Sequence, residues 1–273
     1  MNSIVENVTL EEEMKQRVIS GVFIALITIG ACLIGGYLLA GICAFLCIWG
    51  TKEVIDMRQN KKMYWPLYVV MALSTLVISF SYYLQDTRWQ TLIVLLEPVI
   101  LCGIGVFNSD VTFEDVGTIF IMSIIIGFGG YLFMYFEGIN KFLFGYVIII
   151  SYLTDAFAYF VGFKFGKHKL NERISPKKTI EGSLGGWILG GIVSFIWAYV
   201  FNFFYMDYRI FVFASILLPL VSEIGDLVFS MIKRYYNVKD FSNLIPGHGG
   251  ILDRLDSLLI TSLFLGAICL FFV

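Results

Sequence analysis

Charge is what this sequence has least of. Only 15% of its 273 residues are Asp, Glu, Lys or Arg, against about 25% in a soluble domain. Hydrophobic residues make up 58%, with a mean hydropathy of +0.82, more than one soluble core could bury. The formal net charge is −2, so no overall positive field argues for a nucleic-acid partner. The five cysteines, Cys32, Cys43, Cys47, Cys102 and Cys269, include no CxxC pair. All lie in apolar runs and read as small buried hydrophobes, which argues against a cysteine metal or redox centre. No two similar repeats are visible, as a transporter built from inverted halves would show. A cleavable signal is also missing. The first apolar run follows the mixed-charge segment Glu11 to Arg17 and leads directly into a second run, so the N-terminus is expected to be retained.

What is present is apolar sequence in long runs. Nine stretches, roughly 18–34, 36–50, 66–84, 91–107, 117–136, 142–163, 184–204, 210–232 and 254–273, approach or exceed the ~20 residues of helix that cross a hydrocarbon layer. A lipid-exposed backbone must satisfy its own hydrogen bonds, and these runs are too long and too uniformly apolar for barrel strands. The expectation is an all-α integral membrane protein, a polytopic bundle of about nine transmembrane helices. Gly35-Gly36 predicts a tight turn between the first two spans, and Pro98 and Pro219 predict kinks within theirs. Glu97 has no motif around it and reads as a kink-associated or interhelical polar contact.

Orientation follows from the basic residues. With a cytoplasmic N-terminus, 16 of the 19 Lys and Arg fall in inside segments: Lys15, Arg17, Lys52, Arg58, Lys61, Lys62, Lys164, Lys167, Lys169, Arg173, Lys177, Lys178, Lys233, Arg234, Lys239 and Arg254. Arg88, Lys141 and Arg209 fall outside. Two inside segments, 164–183 and 233–253, are long and basic and hold both histidines, His168 and His248. Chemistry is therefore expected at the inner face.

The segment 222–257 carries the densest set of polar residues. Glu223 and Asp226 lie three apart and share a helix face, with Ser230, Lys233 and Arg234 following along it. Carboxylates this deep in an apolar run cost about 2.5–3.5 kcal/mol each on insertion and need a cation, a partner or a cavity. Asp253 and Asp256, again three apart, open the last span. Either could simply offset the helix macrodipole. Set against cationic side chains across a glycine-rich turn, they also suit Mg²⁺ with phosphates, because magnesium takes one or two carboxylates plus phosphate oxygens and keeps some water. Pro246-Gly247-His248-Gly249-Gly250 lets a backbone approach a phosphate closely.

From Ser230 to Asp256 the chain resembles the phosphatidate cytidylyltransferase signature without departure: Ser-x-x-Lys-Arg, four residues, Lys239-Asp240, then Pro-x-His-Gly-Gly-x-x-Asp-Arg-x-Asp. A second block is similar too, with Asp155 in a span, then Gly166-Lys167-His168-Lys169-Leu170, Ser175-Pro176-Lys177-Lys178-Thr179 and Glu181-Gly182-Ser183. Ala156 stands where a hydroxyl residue is expected and Phe163 where a basic one is, with Lys164 beside it. Gly182, Gly186 and Gly190 recur every fourth residue and read as a helix-packing face rather than a ligand site. The resemblance covers residues 150–257. Residues 1–140 thus read as N-terminal transmembrane helices and 141–273 as a catalytic region with loops at the cytoplasmic face.

The resemblance implies conversion of CTP and phosphatidic acid to CDP-diacylglycerol and pyrophosphate, in a multi-pass protein of the inner membrane. It implies Asp226, Asp253 and Asp256, with Glu223, as holders of Mg²⁺, and leaves a second cation open. Lys233, Arg234, Lys239 and Arg254 would neutralise phosphates. Ser175, Lys177 and Lys178 would contact CTP or the lipid phosphate, with Asp155, Ser230 and Asp240 also on the substrate side. His248 either donates a hydrogen bond to the leaving group or orients the glycine loop. Acyl chains would lie between helices, in a site open to lipid, and the protein would form a homodimer. A sister transferase for another lipid phosphate is the nearest alternative. An ion path is the alternative from another class, since embedded carboxylates mark those too.

Overall fold

The computed structural model describes residues 2–58, 64–201 and 208–272, with side chains from Ser20 to Phe271 within those ranges and also those of Gln16 and Ile19. Among the described residues there are nine helices: α1 (Asn2–Ile34), α2 (Gly36–Asp56), α3 (Trp65–Leu84), α4 (Arg88–Phe107), α5 (Phe113–Ile139), α6 (Lys141–Phe165), α7 (Ile180–Val200), α8 (Tyr208–Tyr235) and α9 (Leu252–Phe272). The eight from α2 onward are long and apolar enough to cross a membrane. The ninth apolar stretch, Ile19–Ile34, is shorter. The side chains of Lys15, Arg17, Lys61 and Lys62, and the predicted end of the seventh span at 202–204, lie outside the described residues.

Local chemistry sets the helix boundaries. Gly35 and Gly36 both have positive φ, and a Cβ at Gly35 would lie 1.9 Å from Glu137 Oε1, so the turn between α1 and α2 requires glycine there. Thr112 and Asp115 form a reciprocal capping box at the start of α5. Asn140 caps α6 and Thr179 caps α7. Pro98 and Pro219 sit inside α4 and α8. The predicted loop 164–183 contains a short antiparallel hairpin, β1 (Lys169–Asn171) with β2 (Ser175–Thr179), which the basic composition did not signal. Glu181 secures it, accepting from Lys167 N at 3.0 Å and pairing with His168 Nδ1 at 2.6 Å.

Packing is interhelical and partly polar. Large apolar side chains such as Phe23, Leu95, Val99 and Ile192 stay exposed, as a lipid-facing surface requires. Inside, Ser79 Oγ donates to Gly127 O at 3.1 Å and Cys47 Sγ to Ser79 Oγ at 3.6 Å, joining α2, α3 and α5. Glu97 is 1% exposed, with Ser74 of α3 and Ser123 of α5 beside it, which fits the expected interhelical contact. Cys43, Cys47 and Cys269 are buried as expected, whereas Cys102 is exposed on α4. Glycine brings α6 and α7 close. A Cβ at Gly190 would lie 2.4 Å from Thr154 Oγ1, and one at Gly186 2.8 Å from Thr154 O. The glycine triplet is the packing face expected of it.

Contacts sort the helix ends into two groups. At one end, Arg58 pairs with Asp115 at 3.1 Å, Tyr235 bonds Glu114, Ser242 Oγ donates to Glu53 Oε1 at 2.6 Å and Arg234 Nε donates to Ile174 O at 3.4 Å. At the other, Gly35 abuts Glu137, Cys32 Sγ donates to Lys141 O at 3.6 Å and Trp197 Nε1 donates to Phe142 O at 3.0 Å. Helix α1 reaches from Ser20, bonded to His248 Nδ1 at 2.7 Å, to Cys32 at the far end. The segments expected to share one face of the membrane do meet at one end.

Candidate active site

At that end, helices α6, α7, α8 and α9 and strand β2 line a cavity of about 550 Å³. Asp155 enters from α6, Glu223 and Asp226 from α8, and Asp253, Arg254 and Asp256 from α9, with Lys177 and Lys178 from β2. The three-residue spacing on α8 places Glu223 and Asp226 on one face. Gly186 leaves the room that Glu223 occupies, since a Cβ there would lie 2.8 Å from Glu223 Oε1.

Lys178 is the cation among these carboxylates. Its Nζ lies 2.6 Å from Asp226 Oδ2. Burial alone would lower its pKa, but the neighbouring carboxylates, Asp226 foremost and then Asp155, outweigh burial and hold it above the ordinary lysine value. Ser183 hydrogen-bonds Glu223 Oε2, while Glu223 Oε1 is buried without a hydrogen-bond partner. Ser257 Oγ donates to Asp155 Oδ2 at 3.2 Å, and Asp226 and Asp256 lie against one another.

These donors fit a divalent cation in the way magnesium is usually held. Among the described residues, no group of three or more acidic, histidine or cysteine side chains is placed to hold a metal ion by itself. Magnesium does not need one, because it takes one or two carboxylates and fills its shell with water and phosphate oxygens. A lysine ammonium already drawn in among the carboxylates, and an orphaned buried oxygen on Glu223, mark the cluster as suited to positive charge.

Asp253 differs from its neighbours. Its Oδ1 pairs with Lys233 Nζ at 2.6 Å, and its Oδ2 accepts from Phe241 N and Gly250 N, both at 2.8 Å. Both oxygens are therefore engaged in holding the 233–250 loop. Ser230 Oγ lies 3.5 Å from Asp226 Oδ1, behind the cavity. Arg234 donates to Val238 O at 2.9 Å and to Ile174 O at 3.4 Å, which ties the loop to the hairpin. Ser175, Lys239 and Asp240 do not line the cavity, and Lys239 and Asp240 are exposed. His248 bonds Ser20, and the positive φ of Gly247 and Gly249 allows the tight loop around it.

A second, apolar groove of about 910 Å³ runs between α1, α2 and α9, lined by Phe23, Ile27, Ile42, Phe45, Leu255 and Leu258 among others. Arg254 borders both spaces, and its Nε is buried without a hydrogen-bond partner. Sequence reasoning did not assign Ser183, Ser257 or Tyr152, whose hydroxyl donates to Arg254 O at 3.4 Å. The available signal was a hydroxyl inside or at the edge of an apolar span, where it needs a partner.

Residues 15–272 match the Cytidylyltransferase family. The chain belongs to that family. It is 30% identical to the phosphatidate cytidylyltransferase of Bacillus subtilis (strain 168) over 267 residues, covering 93% of this chain and 96% of the relative. It is 33% identical over 255 residues to the protein of that name from Staphylococcus epidermidis, covering 89% and 94%. With the Staphylococcus aureus (strain COL) protein it shares 32% over 253 residues, covering 89% and 94%. As a cytidylyltransferase-family member this chain is a nucleotidyltransferase and a multi-pass membrane protein, and the family match spans α2 to α9 as well as the signature loops.

Proposed function

We propose that this protein transfers the cytidylyl group of CTP to phosphatidic acid, forming CDP-diacylglycerol and releasing pyrophosphate. The observation that carries the reading is Arg254. A buried guanidinium N–H without a partner is costly, and this one stands where a polar, carboxylate- and lysine-lined cavity meets an apolar groove. A lipid phosphate has the matching shape, an anion at the end of apolar chains. The groove would receive the acyl chains and the cavity the triphosphate.

In the reaction an oxygen of the lipid phosphate attacks the α-phosphorus of CTP. A new phosphorus–oxygen bond forms as the bond to the bridging oxygen of the β-phosphate breaks, and pyrophosphate leaves. The nucleophile is already anionic, so no strong base is required. The difficulty is to bring two polyanions together and to stabilise charge on the leaving group. Lys177, Lys178 and Arg254 neutralise the approaching phosphates. Asp226 and Asp256 would hold Mg²⁺, with Glu223 and Asp155 adding negative charge beside them, while Ser183 and Ser257 orient the latter two carboxylates. A bound divalent cation would supply additional charge neutralisation at the phosphates. Asp253 and Lys233 hold the loop that leads into α9, the helix that carries Arg254.

The end of the bundle bearing this site also bears the excess of Lys and Arg, which supports a cytoplasmic site and N-terminus in an inner membrane. The test of the reaction is transfer of label from α-labelled CTP into chloroform-soluble lipid by purified protein with phosphatidic acid and Mg²⁺. Label recovered in CDP-diacylglycerol, and abolished in Asp226→Asn, is the expected result. Label appearing only with another lipid phosphate would move the assignment to a sister reaction.

A further inference from the structure

Glu53 lies in the last turn of α2, in the half of the chain that carries none of the signature, and is 1% exposed. Its Oε1 accepts from Ser242 Oγ at 2.6 Å and from Ile251 N at 2.9 Å, and its Oε2 accepts from Leu252 N at 2.9 Å. The carboxylate also fills the space beside Gly250, where a Cβ would come within 2.5 Å of Oε1. A single side chain of α2 thus grips the glycine-rich loop on both sides and occupies the N-terminal end of α9. Asp253 and Arg254 are the next residues.

The energetics make this grip reciprocal. A buried carboxylate is costly unless donors surround it, and all three donors to Glu53 belong to the segment 242–252. Two are backbone N–H groups at the start of a helix, where negative charge is favoured. Among the described residues no Lys, Arg or His forms an ion pair with Glu53 that would take their place. The loop cannot leave α2 without stranding the carboxylate, and α2 cannot shift without uncapping α9.

We infer that Glu53 is a positioning residue for cytidylyl transfer: by clamping 242–252 to α2 it sets the direction in which α9 presents Arg254 and Asp256 to the cavity. The inference rests on the proposed reaction, and it assigns to the N-terminal helices a role in that chemistry. Glutamine at this position keeps the volume but replaces one acceptor oxygen with a donor, so it separates clamping from space filling.

The experiment compares full-length wild type, Glu53→Gln and Ser242→Ala in detergent, measuring kcat and KM for CTP and for phosphatidic acid, thermal unfolding, and hydrogen exchange of peptides spanning 242–252. For Glu53→Gln, kcat should fall about tenfold or more, KM for CTP should change less than threefold, and exchange should quicken in 242–252. Ser242→Ala, which leaves both backbone donors in place, should give a smaller loss of the same kind and keeps the test decisive if the glutamine variant fails to fold. A kcat for Glu53→Gln within twofold of wild type would overturn the inference, as would lost activity with unchanged exchange at 242–252. Should wild type itself transfer no label, the reaction fails and the catalytic role falls with it; faster exchange in the variant would still establish the clamp.

Discussion

Lys233 Nζ and Asp253 Oδ1 lie 2.6 Å apart, both side chains buried, and join the last turns of α8 to the first turn of α9. Asp226, two turns earlier on α8, instead meets Lys178 from the hairpin strand β2. Two acidic residues expected alike to hold a metal therefore hold different parts of the molecule together. Both border the cavity, but Asp253 closes a loop with its two oxygens while Asp226 meets the lysine of the hairpin.

Their asparagine variants should differ accordingly. Removing one partner of a buried ion pair costs about 3–5 kcal/mol, so Asp253→Asn should lose both thermal stability and activity. Asp226→Asn should lose transfer activity by about 100-fold or more while unfolding close to the wild-type temperature. Thermal unfolding in detergent beside the labelled-CTP assay reads both. An Asp253→Asn protein as stable as wild type would refute the structural part of this contrast.

Arg254 serves both cavities in the proposed reaction, so Arg254→Ala should lower kcat/KM for CTP and for phosphatidic acid alike, by about 100-fold. Lysine at this position should restore only part of the loss, because an ammonium cannot reproduce the planar fork of a guanidinium. Steady-state kinetics with each substrate varied in turn would show whether one arm alone responds.

The apolar groove can be filled without disturbing the polar site. Gly41 lines it from α2, and a Cβ there would meet nothing within 4 Å. Gly41→Trp should raise KM for long-chain phosphatidic acid about tenfold and leave KM for CTP within twofold. Equal changes in both constants would place the acyl chains elsewhere.

Lys178 sets an expectation for pH. Its pKa is held above the ordinary lysine value by Asp226 and Asp155 against the opposing effect of burial. The ammonium charge is therefore fully present below the unfolded value, about 10.4, and is lost only as pH rises through the higher folded one. Transfer by wild type and by Lys178→Arg should follow parallel pH profiles between about pH 7 and 9. A wild-type alkaline limb in that range, absent in the arginine variant, would contradict the assigned shift.

Sidedness is open to direct labelling. Single cysteines at Arg173 and Lys239 should react with an impermeant maleimide only from the cytoplasmic side, and one at Arg88 only from the opposite side, in a background lacking the native cysteines. The reverse pattern would turn the site away from the cytosol.

The membrane architecture was legible because it is written in runs of like residues. Apolar stretches act within a few positions of themselves, and the recurrence of Gly182, Gly186 and Gly190 on one helix face marks close packing whatever the partner. The polar segment 222–257 likewise concentrates Asp226, Arg254 and Asp256 within a short stretch of chain. Less legible was the hairpin between α6 and α7, where Glu181 reaches back to His168 and its basic neighbours resemble any cytoplasmic loop. Nothing in the local sequence distinguished Asp253, paired with Lys233, from Asp256, set against Asp226.

The sequence by itself determined that this chain is a helical membrane protein, to which family it belongs and which polar segments meet at one end, because hydropathy, spacing and motif are properties of neighbouring positions. Only the tertiary structure decided which carboxylates face the cavity, that Arg254 borders both a polar and an apolar space, and that Glu53 of α2 grips the loop before α9. Those assignments depend on side chains separated by up to 199 positions competing for the same few buried donors and acceptors, and that competition is resolved only when the helices pack.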